Sequence, residues 1–250
     1  MLGSRMPRDW DAATYDRIAE PQTRWGRAVL DRLPLEGDER VLDAGCGTGR
    51  VTAMLLERLP RGRVVALDGS PAMIDEARRR FAGDHRVECV LADLTRPLPL
   101  REPVDAVLST ATFHWILDHA ALFRSLAAVL RPGGRLVAQC GGVGNVARVT
   151  AALRAIDPTL RQSKNYATPE DTAARLTAAG FVDVRTWLQL EPTRFEPGEP
   201  LEAFLRTVIL GDVLPEIPET RRASFVHEVA TRMEIPEIDY VRLNLEARRA

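Results

Sequence analysis

Lysine is almost missing from this chain: of its 34 basic residues, only Lys164 is a lysine. A GC-rich genome accounts for an arginine bias of that kind without a functional cause. The basic residues are balanced by 35 acidic ones, for a net charge of −1. The basic excess that tracks nucleic-acid phosphates is therefore absent, and no nucleic-acid partner is expected. Cysteine is also scarce. Cys46, Cys89 and Cys140 are odd in number and lack framework spacing, which excludes a disulfide scaffold and fits reduced thiols. No apolar run approaches the roughly 18 residues of a membrane helix. The first residues carry no apolar signal core. The expectation is a cytoplasmic protein without a membrane partner. Hydrophobic residues make up 45% and charged ones 28%, as in ordinary soluble domains. A chain of 250 residues suffices for one large domain, or a domain with a cap.

What is present is concentrated at residues 41–49, Val-Leu-Asp-Ala-Gly-Cys-Gly-Thr-Gly. Val41 and Leu42 suit the interior of a sheet. Gly45, Gly47 and Gly49 let the backbone turn sharply and approach a ligand. Val51, Met54, Leu55 and Leu59 follow at helical spacing, and Pro60 stops the helix. Strand, glycine loop and helix form the first unit of a nucleotide-binding α/β fold. The dinucleotide fingerprint G-x-G-x-x-G is not met, because Arg50 stands where its third glycine belongs. Asp43, just before the loop, would repel a pyrophosphate and attract an ammonium or sulfonium. A nicotinamide-dependent dehydrogenase is disfavoured on both counts. A ligand with a nucleoside end and a cationic, phosphate-free end is favoured, and S-adenosylmethionine fits.

VLDAGCGTGR resembles the first motif of the class I S-adenosylmethionine-dependent methyltransferases. Further pieces follow in order: VVALDGSPAMI (64–74), VECVLADL (87–94), VDAVLSTATFHW (104–115) and LRPGGRLVAQCGG (130–142). The resemblance covers about residues 10–190. It implies a doubly wound, mostly parallel seven-stranded sheet, Rossmann-like, with the last strand antiparallel and inserted beside the fifth. It also implies S-adenosyl-L-methionine as cofactor. His114 and Trp115 resemble the His-Trp pair of the trans-aconitate methyltransferase group, although Thr110 or Ala111 stands where that motif usually has asparagine.

Asp43 is expected to face the methionine end of the cofactor, with Gly45, Cys46 and Gly47 lining it; Cys46 fills a slot in the loop with its small side chain. Asp68 ends the second strand, 19 positions after Gly49. That is close to the roughly 20-residue offset at which nucleotide folds place an acid on ribose hydroxyls. Gly69 and Ser70 then open a helix, with Ser70 as N-cap and Pro71 at its first position. Met73 would pack on the adenine, with core packing as its alternative. Ala92, Asp93 and Leu94 end the third strand, where Asp93 could accept the adenine amino proton; a turn aspartate is its alternative. Thr110 ends the fourth strand beside the reacting end. His114 could orient the acceptor or take a proton, and Tyr15 could close over the site. No metal ligand set is expected. Arg24, Arg148 and Arg206 stand in lid or cap regions where a substrate carboxylate could be bound.

The organisation expected is one methyltransferase domain over 1–250. N-terminal lid helices take 1–36, the cofactor-binding core 37–190, a helical cap 192–236 and a final strand 237–250, with Ile238–Leu245 its alternating stretch. The cap could instead be a packing subdomain that only extends the core. The preferred function is O-methylation of a small carboxylic acid. C- or O-methylation of a natural-product or isoprenoid acceptor with His114 as base is the alternative. A cofactor-binding protein without catalysis is the alternative of another class. A monomer or homodimer is expected.

Overall fold

The structure, a computed structural model, describes residues 20–160 and 162–250. In chain order its strands are β1 (Arg40–Ala44), β2 (Arg63–Asp68), β3 (Val87–Leu91), β4 (Val104–Thr110), β5 (Leu130–Gly141), β6 (Phe181–Leu190), β7 (Thr193–Arg194), β8 (Glu237–Ile238) and β9 (Val241–Arg249). Its main helices are α1 (Glu20–Leu30), α2 (Arg50–Glu57), α3 (Pro71–Arg80), α4 (His119–Val129), α5 (Ala147–Ile156), α6 (Pro169–Ala178), α7 (Glu199–Phe204) and α8 (Arg222–Arg232). Seven strands form one sheet in the order β3-β2-β1-β4-β5-β9-β6. β1 pairs in parallel with both β2 and β4, and β9 pairs antiparallel with both β5 and β6. This is the expected seven-stranded sheet, with the last strand inserted beside the fifth. Among the described residues, no helix is long and apolar enough to cross a membrane.

Side-chain alternation along β1 separates the two faces. Val41 joins Leu55, Leu59 and Val64 beneath α1 and α2. Leu42 and Ala44 point the other way, into a core with Leu122, Phe123 and Leu126 of α4 and Leu176 of α6. Helices therefore cover both faces, and the strand order reverses at β1 and β4. Ligands of open α/β sheets bind outside the carboxyl ends of the strands at such a reversal.

The caps read from sequence form. Ser70 Oγ accepts the Met73 N–H at 3.4 Å with Pro71 behind it, and Thr168 Oγ1 accepts the Asp171 N–H at 3.1 Å with Pro169 behind it. Pro132-Gly133-Gly134 makes a kink inside β5: Val104 pairs with Leu130, Ala106 with Arg135, and Gly133 takes φ +77°. One detail departs from expectation. The final strand starts at Val241, because Glu237–Ile238 pairs separately with Thr193–Arg194. It also runs on to Arg249, whose guanidinium donates to the carbonyls of Ala127 and Gly180.

Residues 192–236 do not pack on the main sheet core. Leu201, Phe204, Leu205, Val208 and Leu214 meet Phe225, Val226 and Val229 of α8, and this cluster includes Val149 and Leu153 of α5 and Trp25 of α1. A second small core thus stands at the edge of the crevice.

Phe123 is fully buried, with its ring edge-on to Phe113 at 5.9 Å. Phe123→Ala is expected to destabilise the protein by about 3–5 kcal/mol, the usual cost of a large core truncation. Chemical denaturation would read it as a fall in midpoint at unchanged slope.

Candidate functional site

The glycine loop wraps over the end of β2. The N–H groups of Gly45 and Cys46 both donate to the carbonyl of Leu67, at 2.7 and 2.9 Å. Gly45 lies at φ +85°, and a Cβ there would stand 2.1 Å from Thr112 Oγ1. The first glycine is therefore needed against Thr112, whose hydroxyl donates to the Gly45 carbonyl at 3.2 Å. A Cβ on Gly47 would meet nothing within 4 Å, so this glycine opens on the crevice. Gly49 is required for a third reason: its Cβ would strike the ring of Phe81 at 2.5 Å.

Asp43 sits at the buried end of β1, 1% exposed. Its Oδ2 accepts the hydroxyl of Thr52, from α2, at 2.6 Å; its Oδ1 is buried and has no hydrogen-bond partner among the described residues. Burial raises its pKa to about 7, with a further push from the Asp68 charge and an opposing pull from the Thr52 hydroxyl. A buried carboxylate with one unused oxygen suits a cationic ligand. Asp68, at the end of β2, accepts the N–H of Gly47 on one oxygen and that of Ser70 on the other, both at 2.9 Å. These bonds fix its carboxylate and oppose the rise in pKa that its burial causes. Gly69 stands partly exposed beside it.

The other expected cofactor residues are placed less uniformly. Cys46 sends its side chain into a cluster with Ala66, Ile74 and Ala77. Met73 is buried in the first turn of α3. The Ala92 N–H donates to the Asp68 carbonyl at 3.1 Å, tying the third strand's end to the second. Asp93 Oδ1 accepts both the N–H and the hydroxyl of Thr95, at 2.8 and 2.7 Å, as a turn aspartate does. Leu94 belongs to the main core. The Thr110 carbonyl accepts the Thr112 hydroxyl at 3.1 Å.

Beyond Thr112 lies a cleft. Ala111, His114 and Trp115 form one side. Asn145 and Val146, which follow β5, and Lys164 and Tyr166, which precede α6, form the floor. Arg242 and Tyr240 enter from β9 and the turn before it, Trp25 from α1, and Val208 and Ile209 from the 192–236 segment. Ala111 and Val146 both lie at positive φ, +58° and +53°. Left-handed backbone costs a non-glycine residue roughly 1–2 kcal/mol, and such strain gathers at functional sites.

His114 is buried and accepts the Gly141 N–H on Nδ1 at 3.3 Å. Burial, followed by the charges of Arg242 and Lys164, holds it well below the ordinary imidazole value. The ring is therefore neutral, with its proton on Nε2. Tyr166 stacks on it at 5.9 Å. A Cβ on Gly141 would stand 2.8 Å from that tyrosine, which explains the glycine. Lys164 Nζ, 3% exposed, bonds Asp212 Oδ1 and the Ile209 carbonyl, both at 3.0 Å, and lies over the Trp115 ring at 4.7 Å. Ile209 ends a π-helical turn, Leu205–Ile209, and such turns often mark functional sites. The Arg242 guanidinium lies over Trp25 at 4.4 Å and donates from Nε to Gln139 Oε1 at 3.3 Å.

The cations of the cleft are thus Arg242 and Lys164. The arginines expected from sequence are elsewhere: Arg24 pairs with Glu191, Arg148 with Glu237 and Arg206 with Glu199, all with side chains at least 39% exposed. Tyr15 lies outside the described residues. Sequence reasoning also missed Thr112 and Tyr166. Only Lys164 carried a signal, as the lone lysine.

Comparison with known proteins agrees with this geometry. Residues 41–134 match the family described as a methyltransferase domain. The trans-aconitate 2-methyltransferase of Methylobacterium nodulans is 41% identical over 131 residues, 52% of this chain and 49% of that protein. That of Azoarcus sp. is 42% identical over 130 residues, 52% and 50% of the two chains. The chain thus spans about half the length of the curated relatives it matches. Among solved structures, the YcgJ protein of Bacillus subtilis superposes with a TM-score of 0.67 at 15% identity, over 90% of this chain and 98% of that one. Phosphoethanolamine N-methyltransferase 2 of Haemonchus contortus, in complex with phosphomonomethylethanolamine and S-adenosylhomocysteine, superposes at 0.62 with 18% identity, over 95% and 56%. The fold is that of the class I, Rossmann-like methyltransferases. Over residues 41–134 the chain matches the methyltransferase domain, and over about half its length it is similar to the trans-aconitate 2-methyltransferases.

Asp43 has a pH signature. Its folded pKa of about 7 lies above its ordinary 3.8. Between those values the native state keeps a proton that the unfolded chain has released. The resulting stability is complete below about pH 4 and is lost as pH rises through 7. Asp43→Asn is expected to remove this slope, so that the ligand-free variant overtakes the wild type in melting temperature at pH 8. Parallel pH–stability curves would refute the assignment.

Proposed function

We propose that this protein transfers a methyl group from S-adenosylmethionine to a carboxylate oxygen of a small acid. The observation that carries this reading is the buried guanidinium of Arg242, held by a neutral amide, beside neutral His114 in a cleft next to the glycine loop. S-adenosylmethionine, when bound, supplies an electrophilic methyl on a sulfonium. Asp68 would accept hydrogen bonds from its ribose hydroxyls, and Asp43 would face its cationic end. Gly47 leaves room for close approach.

A carboxylate acceptor is ionised at neutral pH and needs no base. Catalysis is then orientation and exclusion of water. Arg242 can grip the acid as a planar fork, and the His114 Nε2–H can orient an oxygen. The walls of Trp25, Trp115, Tyr166 and Tyr240 keep the cleft dry. The 192–236 segment acts as the cap, through Val208 and Ile209. A phenol or carbon-acid acceptor would require a base, and a histidine held well below its ordinary value is a poor one. The similarity to trans-aconitate 2-methyltransferases supports the acid over those alternatives.

A labelled-methyl assay over a panel of mono-, di- and tricarboxylic acids, with phenols and isoprenoid alcohols as controls, tests the reading. Transfer to controls alone would refute it. For the best acid, Arg242→Ala is expected to raise KM roughly 10- to 100-fold, the loss of a charged hydrogen bond worth about 1.5–3 kcal/mol. Its affinity for S-adenosylhomocysteine should stay intact. Asp68→Ala is expected to show the reverse pattern in calorimetry: weakened binding of S-adenosylhomocysteine, with the fold retained.

A further inference from the structure

A buried polar chain runs behind the cleft. Gln139 of β5 and Asn244 of β9 are paired directly across the two strands. Gln139 Oε1 accepts from Arg242 Nε at 3.3 Å, and its Nε2 donates to Asn244 Oδ1 at 2.9 Å. The same Asn244 oxygen accepts from Arg32 Nη1 at 2.6 Å, and Arg32 lies two residues past α1. Asn244 Nδ2 donates to the Arg242 carbonyl at 3.4 Å. The residues at both strand positions are essentially buried, Gln139 at 4% and Asn244 at 0%.

The direction of these bonds leaves one arrangement for each amide. Each points its oxygen at a guanidinium. Strong binding of a buried guanidinium is usually the work of a carboxylate, which grips it as a fork and cancels its charge. A glutamate differs from Gln139 by one atom and would reach the same place. The chain uses an amide there instead, which orients Arg242 through Nε and leaves its positive charge undiminished by that contact. The field of that charge is felt across the cleft, where Arg242 and Lys164 together oppose protonation of His114. Trp25 packs on the guanidinium face, so its plane is fixed by a ring on one side and its azimuth by the amide behind.

We propose that Gln139 is a positioning and charge-selecting residue: it aims Arg242 at the acceptor while remaining neutral, so that the cleft prefers an anionic acceptor. Asn244 is the second link, coupling that aim to Arg32 behind α1. The proposal rests on the reading of the acceptor as an acid. It makes the amide at position 139 the determinant of how strongly that acid's charge is felt.

The test compares wild type, Gln139→Met and Gln139→Glu on the best acid from the panel, with S-adenosylhomocysteine titrated into each. Absence of transfer to any acid by wild type would remove the acceptor reading itself, before any variant is compared. Given transfer, Gln139→Met is expected to raise the acid KM about tenfold, with kcat changed less than threefold and S-adenosylhomocysteine affinity unchanged. Gln139→Glu keeps the shape and the oxygen. Its carboxylate pairs with Arg242 and cancels the charge, so it should raise KM further than Gln139→Met, with kcat and S-adenosylhomocysteine affinity again nearly unchanged. A merely structural role would lower kcat and S-adenosylhomocysteine affinity together with the affinity for the acid. Wild-type KM in both variants, or a Gln139→Glu KM no higher than that of Gln139→Met, would overturn the proposal. Should Gln139→Met fail to fold, the nearly isosteric Gln139→Glu decides alone.

Discussion

The antiparallel insertion of β9 between β5 and β6 is the constraint on which the rest of this molecule depends. A parallel sheet built by crossovers would leave β5 open as an edge. β9 closes it with a continuous ladder from Gly141↔Arg242 to Arg135↔Arg248. Its alternation divides the strand. Leu243, Leu245 and Ala247 enter the main core, while Arg242 and Asn244 face the other side, toward the cleft and Arg32. A slip of one residue would put Arg242 in the hydrophobic core and a leucine in the cleft. Register here is therefore enforced by burial on one face and decides the chemistry on the other.

The crevice carries opposite charges on its two sides. Asp43 and Asp68 lie under the glycine loop at the ends of β1 and β2, and Arg242 lies past β4, where the Lys164 charge is already paired with Asp212. Thr112 stands between them, seated on Gly45. Such a field suits a cation on one side and an anion on the other. The strain at Ala111 and Val146 fits this view. Both are held in left-handed backbone by neighbouring strands, with Ala111 donating to the Gln139 carbonyl at 2.7 Å and Val146 to that of Asp239 at 3.1 Å.

The local structure of the glycine-loop half was legible because its determinants are local. A glycine loop must follow a strand, an acid must end the next one, and Ser70-Pro71 must open a helix; each is a short-range rule read from adjacent residues. Even there, identical letters had different reasons. Gly45 makes room for Thr112, Gly47 faces open space and Gly49 makes room for Phe81. Asp93 Oδ1 bonds its own turn at Thr95, the alternative that the sequence offered beside the adenine contact. Of the acceptor half, only His114 and Trp115 after β4 were legible. Its walls come from segments as far apart as Trp25 and Arg242, and no spacing rule joins them. The three arginines expected in that role all found nearby glutamates and stayed at the surface.

By itself the sequence determined the strand–loop–helix order, the doubly wound class and the acidic, glycine-lined end of the crevice, because these follow from neighbours along the chain. Only the tertiary structure decided which of 34 basic side chains would lose water and face the cleft. Burying a charge is costly unless distant strands supply its partners. Here the partner of Arg242, Gln139, lies 103 residues away, on a strand that pairs with it only once the sheet has closed.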